Sequence, residues 1–201
     1  MSKGLFIVFE GIDGSGKTTV CRMLEKKLKS LGFNVFFTSE PTNMEYGKIL
    51  RRKLKSGMDP IEAVLLFALD RYNHVKIIRE YLKKGYIVIC DRYYYSSLAY
   101  QGALLGKDMM SYIESIHRPF ILKPDLVFLL DVLPEIGLSR VRKLREGCAE
   151  IYEELKLQEI IRERYLEIAK SKGFIIINAE KSIEDVFSEV FSYIMKLLHK
   201  D

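Results

Sequence analysis

The residues with the most specific chemistry form the stretch FEGIDGSGKTT at positions 9–19. Between Gly11 and Thr18 this stretch fits the pattern G-x-x-x-x-G-K-[ST]. Glycines let backbone N–H groups curl around anionic oxygens, the lysine reaches terminal phosphates, and the threonine hydroxyl can bind Mg²⁺. The stretch therefore predicts a nucleotide-phosphate site. Its expected contact residues are Gly11, Ile12, Asp13, Gly14, Ser15, Gly16, Lys17, Thr18 and Thr19.

Two other interpretations of this stretch are weaker. A glycine-rich turn could match the pattern by chance, but a strand before it and a helix after it make that less frequent. A dinucleotide fold would need a third glycine, as in G-x-G-x-x-G, and GSGKTT has none at that position. The pattern does not choose between an ATPase, a GTPase and a kinase, although NAEKSIED at 178–185 lacks the N-K-x-D spacing expected of a GTPase.

A second polar group opens the stretch CDRYYYSSLAYQG at 90–102. Asp91 could hold Mg²⁺ directly or through water, and the planar guanidinium of Arg92 could clamp two phosphate oxygens. An Asp–Arg ion pair at a helix start is the structural alternative. Proximity to a phosphate loop favours the functional interpretation.

Upstream, LLFALDRYNH at 65–74 places Phe67 and Arg71 one helical turn apart, on one helix face. An aromatic ring and a guanidinium could together recognise a nucleotide base. From these residues alone, packing of Phe67 in the core with its leucine neighbours is the favoured interpretation.

These residues need a sheet to position them. Five apolar runs, at 5–9, 34–38, 86–90, 126–132 and 174–178, are continuous rather than alternating, as in strands covered on both faces. Helical spacing lies between them, which predicts an α/β fold with a five-stranded parallel sheet and helices on both faces. Ligands then bind at the carboxyl ends of the strands. We therefore expect the chemistry within 10–18, 39–43, 91–93, 133–147 and 178–181.

Bulk composition sets limits on the protein class. The 201 residues, 48% hydrophobic and 29% charged, suit one globular domain spanning 1–201. A net charge of +5 is a weak indication of an anionic partner. Cys21, Cys90 and Cys148 are odd in number and lack CxxC-type spacing, which argues against a disulfide framework or zinc site and fits a reducing cytosol. Neither a signal peptide nor a membrane-spanning run is recognisable.

Several motifs in order resemble the thymidylate kinase family, whose members phosphorylate dTMP to dTDP with ATP. The resemblance extends from about residue 4 to 190, and DRY followed by SSLAYQ is its most specific part. It implies the three-layer P-loop NTPase fold with a small lid. The motifs are FEGIDGSGKTT, EPT, LLFALDR, DRYYYSSLAYQG, KPDLVFLLDV and NAEKSIEDV.

The resemblance also implies roles for individual residues. Phe67 would stack on thymine, which replaces the core-packing interpretation, and Arg71 with Gln101 would hydrogen-bond the edge of the base. Arg92 would hold the dTMP phosphate, and Asp13 would approach the 3′-hydroxyl. The remaining dTMP contacts would be Pro41 on the pocket floor, Tyr100 on its wall and Tyr152 against the sugar 2′ position.

The segment 139–155 corresponds to the lid of the family and carries Arg140, Arg142 and Arg145. Some members have a catalytic arginine in the phosphate loop, but Ser15 occupies that place here. The resemblance therefore implies a lid arginine as the catalytic group, and Arg145 is the expected one. Many members also have an arginine soon after the second-strand proline, whereas this chain reads TNME at 42–45.

As a member of this family the chain would use Mg²⁺, held by Thr18 and Asp91, with ATP and dTMP as substrates. A cytoplasmic homodimer is implied, with apolar faces of 60–83 and 95–117 as candidate interfaces, and neither nucleic acid nor membrane as a partner. The alternatives are another nucleoside monophosphate or deoxynucleoside kinase, or an ATP-regulated binding module.

Overall fold

The computed structural model describes residues 4–144 and 155–199. The expected site residues Arg145 and Tyr152 lie outside this described part, as do the side chain of Arg142 and all of Cys148. Five strands are formed: β1 (Leu5–Glu10), β2 (Val35–Ser39), β3 (Ile87–Asp91), β4 (Leu126–Asp131) and β5 (Ile175–Asn178). Each overlaps one of the five predicted runs, so the prediction of strands is confirmed.

The strands form one parallel sheet in the order β2-β3-β1-β4-β5. The central strand, β1, pairs with β3 so that Phe9 lies opposite Asp91, and on its other side Phe9 lies opposite Phe128. The chain after β1 therefore leaves the sheet beside the chain after β3. This register brings the phosphate loop next to Asp91 and Arg92.

The described residues form eight helices, of which seven lie between strands and α8 follows β5. Helices α1 and α8 contact each other on one face of the sheet, and α3, α4 and α7 form a contiguous layer on the other. The helices are α1 (Lys17–Ser30), α2 (Glu45–Ser56), α3 (Pro60–Lys83), α4 (Tyr94–Leu105), α5 (Met109–His117), α6 (Pro134–Leu144), α7 (Leu155–Lys172) and α8 (Ile183–Leu198).

The core lies on both faces of the sheet. Four consecutive β1 residues, 6–9, are buried, as a strand covered by helices on each side requires. In α1 the apolar residues Val20, Leu24 and Leu28 are buried. Leu31 is 47% exposed, because α1 ends at Ser30 and Gly32 turns the chain away at φ 89°.

Candidate active site

The loop between β1 and α1 has a backbone that only glycines adopt easily. Gly11, Gly14 and Gly16 have φ values of 143°, 76° and 90°. Gly14 also lies so close to α6 that an added Cβ would come within 2.1 Å of the Gly137 carbonyl oxygen. Helix α1 then begins at Lys17 with no side-chain cap and no acidic residue in its first turn. Its first N–H groups are therefore suitable donors for an anion.

Lys17 is held inside this loop. Its Nζ donates to the Ile12 carbonyl at 2.8 Å and to Ser15 Oγ at 3.2 Å. Burial, together with the nearby positive charge of Arg92, lowers the pKa of Lys17 from 10.5 to about 8. A bound polyphosphate beside Nζ would offset that desolvation and favour the charged form.

Thr18 and Asp91 form a polar corner at the start of α1 and the end of β3. Thr18 Oγ1 donates to Asp91 Oδ2 at 2.5 Å. The second carboxylate oxygen, Oδ1, is buried and has no hydrogen-bond partner among the described residues. One hydroxyl and one carboxylate beside a phosphate loop fit Mg²⁺, which takes few protein ligands and completes its shell with water and phosphate oxygens. No denser cluster of His, Cys, Asp or Glu suited to a metal is found in 4–144 or 155–199.

Arg92 follows β3 and projects its guanidinium between the loop and the helices. Its φ of 67° is the one positive value at a non-glycine residue in the described part, a conformation that costs on the order of 1 kcal/mol. The guanidinium donates from Nη2 to Asp13 Oδ1 at 2.5 Å and from Nη1 to the Gly11 carbonyl at 3.1 Å. Further acceptors are the hydroxyls of Ser96, Tyr100 and Tyr165 at 3.1–3.2 Å.

Glu10, the last residue of β1, lies beneath Arg92 and is fully buried. It accepts from the Tyr93 N–H at 2.8 Å, Ser96 Oγ at 2.7 Å and the Tyr165 hydroxyl at 3.0 Å. Burial raises the pKa of its carboxyl to about 7, against the opposing effect of these hydrogen bonds and of Arg92. Since Ser96 and Tyr165 also accept from Arg92, Glu10 is connected to the guanidinium through two hydroxyls.

A second, smaller pocket opens between α3, α4 and the loop after β2. Phe67 and Arg71 lie on one wall and Tyr100 and Gln101 on another, with Pro41 also in the lining. Gln101 is buried, and its Oε1 has no hydrogen-bond partner among the described residues. The pocket therefore combines an aromatic ring with polar groups that can bind the edge of a planar base.

Arg71 is anchored from several directions. It is paired with Glu40 through Nε at 2.7 Å and Nη2 at 2.6 Å, and both side chains are almost fully buried. It also donates to Ser97 Oγ at 3.1 Å and to the Tyr93 carbonyl at 3.3 Å. Burial alone would raise the pKa of Glu40, but Arg71 and His74 beside it hold that pKa below its usual value. The guanidinium is therefore fixed in the wall of the pocket.

The loop after β2 is attached at two other points. Asp70 accepts from the Thr42 N–H at 2.8 Å and from Thr42 Oγ1 at 2.6 Å. Arg51, on α2, donates to the carbonyl oxygens of Pro41 and Thr42. The loop that lacks the expected arginine after its proline thus has an arginine of the next helix lying against it.

The larger cleft follows the phosphate loop toward the ends of β4 and β5. Arg140, on α6, donates to the Ala179 carbonyl at 2.9 Å and reaches the Gly14 carbonyl at 3.4 Å. The wall there is completed by the other cleft residues after β5 and in α6, namely Lys181, Ser182, Ile183, Val186 and Val141. The whole cleft encloses about 970 Å³, and its lining mixes polar and apolar residues, which leaves room for the rest of a nucleotide.

The structure brings together most of the described residues that the sequence singled out, but Gly11 and Ile12 line neither pocket and instead accept hydrogen bonds from Arg92 and Lys17 through their carbonyls. Those of 13–19 line the larger cleft with Asp91, while Pro41, Phe67, Arg71, Tyr100 and Gln101 line the smaller pocket. Asp13, Glu40 and Arg92 line both. Sequence reasoning missed Glu10, Glu40, Arg51 and Tyr165, and for Glu40 the quoted EPT motif was the available signal.

Known proteins match this chain over nearly its whole length. The thymidylate kinase family profile matches residues 9–190. The probable thymidylate kinase of Methanocaldococcus jannaschii is 44% identical over 202 aligned positions, covering 99% of this chain and 100% of that protein. The probable thymidylate kinase of Pyrococcus horikoshii is 43% identical, and the alignment covers 96% of both chains. That of Staphylothermus marinus is 38% identical, with 98% of both chains covered. The chain belongs to the thymidylate kinase family.

Proposed function

We propose that this chain transfers the γ-phosphoryl group of ATP to dTMP, giving dTDP and ADP. The observation that carries the proposal is that the phosphate-loop cleft and the base-sized pocket meet at Asp13, Glu40 and Arg92. Two nucleotides bound there would direct their phosphates at each other from opposite sides. The family and its named relatives support dTMP as the acceptor.

ATP is assigned to the larger cleft. The backbone of 11–16 and the start of α1 would hold its β- and γ-phosphates, with Lys17 neutralising charge and Thr18 and Thr19 beside it. The remainder of the nucleotide would extend past Arg140 toward Ala179. Arg145, expected on the lid, would complete the charge stabilisation from above.

The acceptor is assigned to the smaller pocket. Phe67 would stack on thymine, and Arg71 and Gln101 would bind its edge, because thymine presents O4 as an acceptor and N3–H as a donor. Arg92 would hold the phosphate of dTMP, and Asp13 would lie near the sugar 3′-hydroxyl. The other assigned contacts are Pro41, Tyr100 and, beyond the described residues, Tyr152.

Arg51 is assigned the role of the arginine that is missing after Pro41. It lies against the carbonyls of residues 41 and 42 and lines the larger cleft. A guanidinium there is close to where the two sets of phosphates would meet. This assignment explains how TNME at 42–45 can replace an arginine-bearing sequence.

Mg²⁺ is assigned to Thr18 and Asp91, whose hydroxyl and unpartnered Oδ1 suit it. When bound, the ion neutralises charge on the transferred phosphoryl group. The chain itself would position and stabilise the phosphates, and no general base is needed, because a phosphate monoester is mostly ionised at neutral pH. Closure of the lid at 139–155 would exclude water as a competing acceptor.

A homodimer is also proposed. Ile61, Leu65, Leu69 and Tyr72 of α3 are each 44–48% exposed and recur at steps of four, four and three residues, so they form one apolar stripe. An exposed apolar stripe on a folded protein indicates an interaction surface, which a second copy of the chain could cover. None of the helices in the described residues is both long and apolar enough to span a bilayer. A cytoplasmic location and the lack of a nucleic-acid partner stay predictions.

A panel of dTMP, dUMP, dCMP, AMP and thymidine, each with ATP and Mg²⁺, tests the proposed function. We expect dTMP to give the highest kcat/KM. Preference for AMP or dCMP would assign the chain to another monophosphate, and preference for thymidine would make the smaller pocket a nucleoside site. Either result would overturn dTMP as the substrate.

A further inference from the structure

The guanidinium of Arg71 is paired with the carboxylate of Glu40 and has one N–H left for a ligand in the smaller pocket. Its contacts with Glu40, Ser97 and the Tyr93 carbonyl engage Nε, Nη2 and one hydrogen of Nη1. Nη1 carries two hydrogens, and Ser97 Oγ is its one hydrogen-bond acceptor in residues 4–144 and 155–199, which leaves the second hydrogen for another acceptor. That N–H is available to a base in the pocket that Arg71 lines.

The carboxylate behind Arg71 is itself held in place. Glu40 Oε1 lies 3.0 Å from His74 Nδ1, and His74 Nε2 lies 2.6 Å from Thr38 Oγ1 on β2. Glu40, Arg71 and His74 are each exposed by no more than about 2% of their side-chain surface. Thr38 of the sheet, His74, Glu40 and Arg71 are therefore connected in this order by side-chain contacts. A buried carboxylate with two partners of this kind fixes the orientation of the group it binds.

We propose that Glu40 is a positioning residue that sets the choice of pyrimidine. It holds the Arg71 guanidinium in one orientation, so that the remaining N–H donates to a base oxygen and disfavours a base amino group at the same place. The proposal rests on the proposed function, since it assigns the base selectivity of the same site. Arginine can only donate, and thymine offers O4 where cytosine offers an N4 amino group. When the guanidinium is fixed, its N–H and the N4 amino group of a bound cytosine are two donors facing each other, which disfavours cytosine. A guanidinium that is free to rotate can avoid this contact, so cytosine is then disfavoured less.

A purely structural role for Glu40 would be to hold the loop after β2 against α3. That loop has other attachments, because Asp70 holds Thr42 through two hydrogen bonds and Arg51 contacts the carbonyls of residues 41 and 42. Asp70 neighbours Arg71 in sequence but accepts from Thr42 rather than from the guanidinium. It therefore provides a matched control: the same loop and helix, without the contact to Arg71.

The test compares kcat/KM for dTMP and for 5-methyl-dCMP, which differ at the position 4 substituent and the N3 hydrogen. Glu40→Gln should lower the dTMP preference at least about tenfold, mainly through the KM values of the monophosphates. Asp70→Asn should keep the wild-type preference even if its thermal stability or its overall rate falls. A Glu40→Gln variant with wild-type preference, or an equal loss of preference in Asp70→Asn, would overturn the proposal.

Two further outcomes are decisive. A wild-type chain that uses both monophosphates equally would contradict the proposed function and, with it, this role of Glu40. If Glu40→Gln does not fold, Glu40→Asp replaces it, because that variant keeps the charge but withdraws the carboxylate by one methylene. It should still lower the preference several-fold, and unchanged preference there would overturn the proposal.

Discussion

The guanidinium of Arg92 lies against the carboxylate of Asp13, with Nη2 2.5 Å from Oδ1. One residue follows β3 and the other belongs to the phosphate loop, so this pair joins the two halves of the site. Asp13 is assigned to the 3′-hydroxyl of the acceptor and Arg92 to its phosphate. Their contact places the proposed phosphate-binding cation and the proposed sugar-binding carboxylate at the junction of the two pockets.

Replacing Arg92 tests this junction. Arg92→Ala should lower kcat/KM for dTMP about 100-fold or more at saturating ATP, since charged phosphate contacts in a water-poor site supply about 3 kcal/mol or more of transition-state stabilisation. Arg92→Lys should recover only part of this, because it lacks the planar fork. Steady-state kinetics give both values.

Arg79 is the matched control for Arg92. It lies exposed on α3 and donates to the Phe120 carbonyl at 3.3 Å, away from both pockets. Arg79→Ala should stay within about twofold of wild-type kcat/KM. A loss smaller than about tenfold in Arg92→Ala would instead assign Arg92 to a structural ion pair with Asp13.

The Thr18–Asp91 corner predicts a specific dependence on Mg²⁺. Thr18→Val removes the proposed ligand oxygen while keeping the shape of the side chain, so the Mg²⁺ concentration for half-maximal activity should rise about tenfold or more. Thr18→Ser keeps the hydroxyl and should behave like wild type. Magnesium titrations of the ATP-dependent rate measure both, and equal titrations for Thr18→Val and wild type would remove Thr18 from the metal site.

Glu10 predicts that stability depends on pH. Its raised pKa, about 7 in the fold against 4.5 as the ordinary value, means that the folded chain keeps a proton that the unfolded chain releases. This contribution is complete below about pH 4.5 and is lost as pH rises through about 7. Glu10→Gln should remove it, which for a shift of this size is roughly 3 kcal/mol. Urea unfolding at about pH 5 and about pH 8 measures the change for both chains.

Comparing the change in the free energy of unfolding of the wild type with that of Glu10→Gln removes the contribution of the other titrating groups, because the two chains share them. We expect the free energy of unfolding of the wild type to fall more between those pH values than that of the variant. Equal falls in both chains would show that Glu10 is already ionised across this range in the fold.

The apolar stripe on α3 predicts the oligomeric state. The wild type should have twice the 23.4 kDa mass of the chain by light scattering, and Leu65→Asp combined with Leu69→Asp should give the single-chain mass. Leu31→Asp is the control, because Leu31 is exposed to a similar extent, 47% against 48% for Leu65, but lies at the end of α1. A wild-type chain that is monomeric at micromolar concentration would contradict the proposal.

The sequence predicted the features that depend on residues close to one another along the chain. Continuous apolar runs identified the strands, and the spacing of Gly11, Gly16 and Lys17 identified the phosphate loop, because both patterns are local. Phe67 and Arg71 needed more than spacing. From spacing alone, core packing was the favoured interpretation of Phe67 until the family resemblance implied that it contacts a base.

Contacts between distant residues were not predictable in the same way. Glu10 and Tyr165 are 155 positions apart and meet only because β1 is central in the sheet and α7 packs over its end. Glu40 and Arg71 are 31 apart, and nothing in the pattern EPT indicates an ion pair. Arg51 contacts the carbonyls of Pro41 and Thr42 because α2 returns over the loop after β2, a tertiary relationship without a local signal.

Transfer of a labelled γ-phosphoryl group tests most directly whether two nucleotides meet at Arg92 and Asp13. With ATP labelled at that group, we expect label to appear in dTDP in a one-to-one ratio with ADP, and little label to be released as inorganic phosphate when dTMP is omitted. Release of labelled phosphate at the same rate with and without dTMP would contradict the account, because water would then be the acceptor.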